Sequence, residues 1–303
     1  MPPIDDRIHA RDWSLLAVLS ILWGGSFFFN GAALRELSPL TLVFLRVALG
    51  AAILLPLLRM QGISFPDSMS DWTPFIVIGL FNNVIPFSLI VAGQTFIPSG
   101  LASILNATTP IFTVLVMAAA GEEALQARRV AGAALGLAGV IVLRGWGLET
   151  RPGQGLGILL CLGGAFSYGF AALAARRMLK DSAPLATATF QLMASTVMMA
   201  IVAGVVEQPW HLPMPGLTTW LAVLGLAGLS TALAYIVFFQ IIRRSGATNV
   251  MLVTLLIPVT AILLGGLVLG EPISMREIAG AIVIGSALLV IDGRIFNVLR
   301  RVT

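Results

Sequence analysis

The chain has 303 residues, 58% of them hydrophobic and only 11% charged, where an ordinary soluble domain carries about a quarter charged residues; a water-soluble globule of this size is excluded. The net charge of +4 comes from few charges of either sign, so no basic stripe exists to hold a nucleic-acid backbone. The single cysteine, Cys161, lies in an apolar segment and both histidines, His9 and His211, lie in polar connections, which excludes an intramolecular disulfide and a metal cluster.

Breaks in apolarity, marked by Pro, Gly and charge clusters, divide the chain into ten helices. They cover about 12–34, 40–60, 72–93, 98–120, 127–146, 154–177, 184–206, 216–243, 247–269 and 275–298. The apolar run from Trp13 to Leu34 is longer than a signal-peptide core, and mixed charges precede it, so this helix stays in the membrane. Short connections such as Ile97-Pro98 and Ser245-Gly246 make their flanking helices antiparallel neighbours. With the N-terminus in the cytoplasm, thirteen Lys and Arg residues fall on the inner side and four on the outer, Arg46 lying within a helix. That bias predicts cytoplasmic termini at both ends of a multi-pass inner-membrane protein.

The chain also repeats itself. Trp72, Phe87, Pro110 and Glu123 match Trp220, Tyr235, Pro258 and Glu271 at a spacing of 148 residues. Ser38-Pro39-Leu40 matches Ala183-Pro184-Leu185 at a spacing of 145, which sets Arg46 opposite Gln191. Two five-helix units are expected, 1–150 and 151–303, and an odd number of spans per unit turns the second upside down. Inverted repeats place a substrate path at their interface near the bilayer midplane, exposed alternately to each side as one half rocks against the other.

Helix by helix, the polar and aromatic groups at depth are the candidates for that path. Trp23, Phe27 and Phe28 in helix 1, Phe81 in helix 3, Tyr168 in helix 6, and Phe238 and Phe239 in helix 8 offer rings, each of which could equally be ordinary packing. Arg46 lies roughly 10 Å inside helix 2. It reads either as counter-charge for a carboxylate or as an arginine snorkelling outward toward Glu36 to pin the helix, and its depth favours the second. In helix 3, Asn82, Asn83 and Pro86 fall mid-span. Amides there must bond other helices or face water, and Pro86 frees the carbonyl of Asn82. Ser230, Thr231 and Tyr235 stand at the repeat-related positions of helix 8, and Asn106 before Pro110 and Thr254 before Pro258 extend the lining to helices 4 and 9. Interhelical bonding is the plainer account of such groups, but their paired occurrence favours a cavity wall. Gly132 with Gly136, and Ala281 with Gly285, read as packing surfaces of helices 5 and 10.

Both halves carry Pro, a dozen apolar residues, Gly-Glu and then a Gly-rich helix: Pro110 to Gly121-Glu122, and Pro258 to Gly270-Glu271. With Trp23-Gly24-Gly25-Ser26-Phe27 and Phe44-Leu45-Arg46, this resembles the EamA-type members of the drug/metabolite transporter superfamily over nearly the whole chain, and within it is most similar to the YddG-type exporters of aromatic amino acids. The doubled acid Glu122-Glu123 departs from the pattern and leaves two alignments of the halves, one residue apart. The resemblance implies a ten-helix inner-membrane exporter with helices 3, 4, 8 and 9 and parts of 1 and 6 around a central cavity.

The expected fold is thus an all-α integral membrane protein of two inverted five-helix repeats. Substrate-lining residues are taken as Trp23, Phe27, Asn82, Asn83, Pro86, Asn106, Tyr168, Tyr235, Phe239 and Thr254, with Arg46, Pro110 and Pro258 structural or gating. No Asp, Glu or His occurs mid-span, which argues against a membrane enzyme and against obligatory proton coupling. No catalytic residue, metal or cofactor is called for. A structural membrane protein would not need a duplicated polar lining. The expected partners are the lipid bilayer and a small amphipathic molecule such as an aromatic amino acid, other metabolites and drugs standing as alternatives; phosphorylated cargo would ask for several basic groups in the path. Oligomeric state is not legible.

Overall fold

A computed structural model describes residues 10–122, 127–144, 152–179, 182–238, 240–241, 253–272 and 274–292, and every secondary-structure element among them is helical. The helices are α1 (Ala10–Ala33), α2 (Pro39–Met60), α3 (Met69–Gly93), α4 (Ser99–Ala119), α5 (Ala127–Arg144), α6 (Gln154–Met178), α7 (Pro184–Val206), α8 (Leu217–Phe238), α9 (Val253–Leu269) and α10 (Met275–Asp292). Seven of these, α1 to α4 and α6 to α8, are long and apolar enough to cross a membrane; the apolar stretches of α5 and α9, Val130–Val142 and Leu256–Leu269, are shorter. Large apolar side chains cover the outer faces: Ile21, Leu159, Ile201, Val205, Leu267 and Ile282 are each more than half exposed. Such a surface is stable only against lipid.

Local chemistry sets the helix ends. Pro39 and Pro184 open α2 and α7, each after an extended residue, Ser38 or Ala183; proline suits that position because the first-turn N–H it lacks would have no partner. Ser68 and Asp71 form a reciprocal capping box at the start of α3, satisfying two orphan donors. Gly62, at φ +67, ends α2 as a left-handed cap that a side chain would strain.

The interior divides into two main cores. The larger joins α1, α4, α5, α6, α9 and α10 with residues of α3 and α8; the second centres on α2 and α7 with α3, α8 and the end of α1. The main packing pairs are α5 with α10, α2 with α7, α1 with α9, α4 with α6, α3 with α6, α1 with α8, α2 with α8, α3 with α7, and α4 with α9. Exchanging every helix for the one five places along returns α5–α10, α2–α7 and α4–α9 to themselves and swaps α1–α9 with α4–α6, α3–α6 with α1–α8, and α2–α8 with α3–α7. Where α3 meets α6 the backbones nearly touch: a Cβ built on Gly93 would stand 2.9 Å from the carbonyl oxygen of Gly157, and one on Gly157 3.0 Å from that of Gly93. On the α5–α10 seam it is Gly139 that lies against the backbone of Ile284, whereas Gly285 faces open space. The seam is set by α5's glycines, and the expected contribution of Gly285 is absent.

Neither α3 nor α8 is a regular helix. Leu80–Val84 and Gly228–Leu233 are π-helical, and the two segments begin 148 residues apart. A π segment inserts a residue into the turn and re-aims the side chains around it. It also moves the carbonyl that Pro86 leaves free. Ile85 N–H reaches back five residues to Leu80, so the N–H missing at Pro86 would have answered Phe81 rather than Asn82, and the Phe81 carbonyl instead receives the hydroxyl of Ser167 from α6 at 2.8 Å. The Thr231 hydroxyl does the same within α8, donating to the Leu226 carbonyl at 2.9 Å. Helix α4 breaks outright, its two parts Ser99–Asn106 and Thr109–Ala119 meeting at Ala107 and Thr108 before Pro110. Pro258 sits within α9, which carries on through it.

Candidate functional site

The re-aimed turns of α3 and α8 bring the mid-span polar groups together. The Asn82 side-chain amide donates to Gln191 Oε1 on α7 at 3.0 Å and to the Tyr235 hydroxyl on α8 at 3.1 Å. Tyr235 donates onward to Asn83 Oδ1 at 3.3 Å, and Asn83 Nδ2 donates to Ser195 Oγ on α7 at 3.0 Å. Ser195 returns its proton to the Gln191 carbonyl at 2.7 Å. Asn83, Gln191 and Ser195 are buried, while Asn82 and Tyr235 keep part of their surface open. A closed chain of amides and hydroxyls among apolar helices is stable only because each polar group finds a partner.

Arg46 reaches the same two helices, α3 and α8, from α2. Its Nε donates to Thr231 Oγ1 at 3.0 Å, and its guanidinium carbon lies 3.7 Å from the centroid of the Phe87 ring. It therefore points inward, against the expectation of a snorkelling residue paired with Glu36. Glu36 instead accepts the Gly216 N–H at 2.7 Å. That bond, with a second from Thr219, holds the Glu36 carboxyl below its ordinary range, because a hydrogen bond to the ionised form favours it.

The other expected residues are placed less uniformly. Tyr168 is half-buried and touches both main cores, so it stands between α6 and the cluster. Trp23 is half-buried with its ring 5.3 Å from that of Phe238. Phe27 is buried in the larger core and offers its carbonyl to Gln94 and Ser99; its ring serves packing. Phe81 turns to Phe170, part of a ring ladder with Phe166 and Phe112, whose Phe166 and Phe170 are exposed, so it belongs to the outer surface. Pro86 is buried directly after the π segment. Asn106, at the break in α4, has a buried Oδ1 without a hydrogen-bond partner among the described residues, and no hydrogen bond joins it to the cluster. Thr254 is half-buried on α9; Phe239 lies outside the described residues.

Gln191 and Ser195 are the site residues that sequence reasoning passed over. Gln191 carried a signal, an uncharged amide at the repeat-related position of Arg46, while Ser195 was one hydroxyl among many. A second buried network was also missed: Asn30 donates to Gln94 Oε1 at 2.8 Å, Gln94 to Ser99 Oγ at 3.1 Å, and the Ser99 N–H to Glu271 at 2.9 Å. No group of three His, Cys, Asp or Glu that could hold a metal ion occurs among the described residues.

Comparison with known proteins gives a consistent result. The profile of the EamA-like transporter family matches residues 12–145 and again 155–291. The "Uncharacterized inner membrane transporter YedA" of Escherichia coli (strain K12) is 28% identical over 281 residues, covering 92% of this chain and 90% of its own length. The "Probable amino-acid metabolite efflux pump" of Salmonella typhimurium is 25% identical over 294 residues, covering 92% and 94%. A solved structure described as "Crystal structure of protein" superposes with a TM-score of 0.64 over 91% of this chain and 94% of that one at 22% identity, a likeness of fold.

Proposed function

Because this chain belongs to the EamA-like transporter family, we propose that it is a multi-pass inner-membrane exporter of small amphipathic metabolites, aromatic and other neutral amino acids first. It works by alternating access between two inverted five-helix repeats, residues 1–150 and 151–303, with ten spans and both termini cytoplasmic. The names of the family and of its members are those of transporters rather than enzymes.

The observation that carries this reading is the hydrogen-bonded cluster of Asn82, Gln191 and Tyr235 within apolar helices from both halves. Support for the repeat comes from the family profile matching twice, from the π segments begun 148 residues apart, and from packing pairs that survive exchange of every helix by five. An aromatic surface supplied by Trp23, Tyr168 and Tyr235 beside side-chain amides suits a ligand with one flat apolar end and one hydrogen-bonding end. Asn106, Thr254 and Phe239 are assigned to the same wall, with Pro110 and Pro258 as gating points where α4 and α9 flex. A relative is named for amino-acid metabolite efflux, which agrees in substrate class.

The test is flux in proteoliposomes. Phenylalanine or tryptophan moves down its own gradient, saturably and with no pH difference imposed. Flux that requires a proton gradient, or a preference for phosphorylated solutes, overturns the reading.

A further inference from the structure

Arg46 is buried, with 7% of its surface exposed, yet no described residue supplies it with a counter-ion. Among the described residues its one hydrogen bond is Nε to Thr231 Oγ1 at 3.0 Å, and no described carboxylate forms an ion pair with it. Thr231 is itself fixed, its proton committed to the Leu226 carbonyl. Phe87 covers one face of the guanidinium, and such a contact returns part of the hydration that burial removes. The two terminal nitrogens, with four N–H donors, are left to meet something else.

A cation held at this depth by one neutral hydroxyl and one ring is an incomplete arrangement. Burying an ion without a paired opposite charge is costly, and proteins that keep one there provide a partner or await one. Four of the described acids stand at helix ends and are engaged elsewhere: Glu207 at the start of α2, Glu271 at the start of α4, Glu36 ahead of α8, Glu122 on Arg176 and Arg177. Thr231, which holds Arg46, stands one turn before Tyr235 on α8, and Tyr235 belongs to the Asn82 cluster. The missing anion therefore belongs beside the aromatic and amide groups already assigned to the path.

We infer that Arg46 is a substrate-binding residue whose terminal N–H fork receives a single carboxylate of the transported molecule, next to the Asn82–Tyr235 cluster. This rests on the transport reading and deepens it: the cargo is a monocarboxylate, and Thr231 and Phe87 position the fork. A planar guanidinium matches a carboxylate through two parallel hydrogen bonds, and one fixed cation suits one negative charge.

The test compares two matched pairs in proteoliposomes, phenylalanine against phenylalaninamide and leucine against leucinamide. The amides keep side chain and amine and lose the carboxylate. With the native protein, flux of the acid exceeds that of its amide by about tenfold or more in whichever pair is carried, the scale of one charge-assisted contact. Arg46→Gln abolishes this preference, and Arg46→Lys, which keeps the charge but loses the fork, retains a reduced one should the Gln variant not fold. Acid and amide carried equally by the native protein overturn the inference. So does an Arg46→Gln protein that folds, transports and keeps the preference, or a loss of flux shared equally by acid and amide, which marks Arg46 as a pin for α2. Leucine carried without phenylalanine overturns the aromatic reading alone, and neither acid carried overturns both.

Discussion

Glu207 holds Thr41 twice, its Oε2 accepting the Thr41 N–H at 2.7 Å and the Thr41 hydroxyl at 2.8 Å, while Oε1 takes the N–H of Leu40 at 2.9 Å. The cap residue of α2, Ser38, makes no side-chain capping bond, so a carboxylate from the end of α7 does its work. The same solution recurs where Pro98 precedes α4 and Gly216 precedes α8, neither of which can cap with a side chain: Glu271 takes the Ser99 N–H and Glu36 takes that of Gly216. Each tie joins a helix of one proposed half to an acid of the other, and in the proposed topology all three stand on the outer face. Glu207→Ala removes three acceptor contacts at a helix N-terminus, and a capping loss there costs about 1–2 kcal/mol. The thermal unfolding midpoint of the purified protein falls accordingly. An unchanged midpoint means that water caps α2 as well as the carboxylate does.

The tie at Glu36 has a defined pH signature. Its folded-state pKa is lowered, first by the Gly216 N–H and then by Thr219. A depressed carboxyl contributes stability that is fully present above its ordinary unfolded value and is lost as pH falls through the folded value. The stability gap between the native protein and Glu36→Gln is therefore constant from neutral pH down to about 5, and closes as acid titrates the carboxyl below the ordinary range of about 4.3. Unfolding midpoints measured for both proteins across that range check this. A gap that already closes near pH 6 assigns the effect to another group.

These carboxylates mark what the sequence could and could not disclose. Helix positions were legible from apolarity and proline, because burial in lipid demands long uncharged runs and Pro39 or Pro184 can only open a helix. The capping roles of Glu36, Glu207 and Glu271 were not legible, since a cap supplied from 166 to 180 residues away leaves no local pattern. Asn82, Asn83 and Tyr235 were found together because depth and polarity are properties of a sequence. The direction of Arg46 was not, because depth alone does not tell which way a side chain leaves its helix; that needed the rotation of α2 against α3 and α8. The π segments were invisible for a similar reason: the one-residue shift is set by packing, and it moved the freed carbonyl from Asn82 to Phe81.

Tyr235→Phe tests the cluster with a single oxygen. The Asn82 amide retains Gln191 as acceptor, while Asn83 Oδ1 loses its donor. Interhelical hydrogen bonds inside membrane bundles contribute about 0.6 kcal/mol on average and seldom exceed ~2. The variant folds with nearly native yield and unfolding midpoint. Its flux of aromatic amino acid drops several-fold, chiefly through a raised KM, because the ring remains and the hydrogen-bonding end of the ligand loses a partner. Native transport kinetics in this variant would move the path to another face of α8.

The proposed inverted topology rests on the thirteen-to-four division of basic residues, which orients short loops because translocating a positive charge is disfavoured. Five spans separate corresponding links of the two proposed halves, so equivalent positions must lie on opposite sides. The charges follow that rule: the link between the third and fourth helices has no Lys or Arg, whereas its counterpart carries Arg243 and Arg244. Single cysteines are placed at 122–126, after α4, and at 148–152, before α6, with Cys161 replaced by alanine. Those at 122–126 react with an impermeant thiol reagent only from the cytoplasmic side, and those at 148–152 only from the outside. Labelling of both links from one side would leave α5 outside the count of spans and remove the inversion. The reverse sidedness at both links would keep the inversion and turn the whole protein over, placing the three carboxylate ties on the cytoplasmic face.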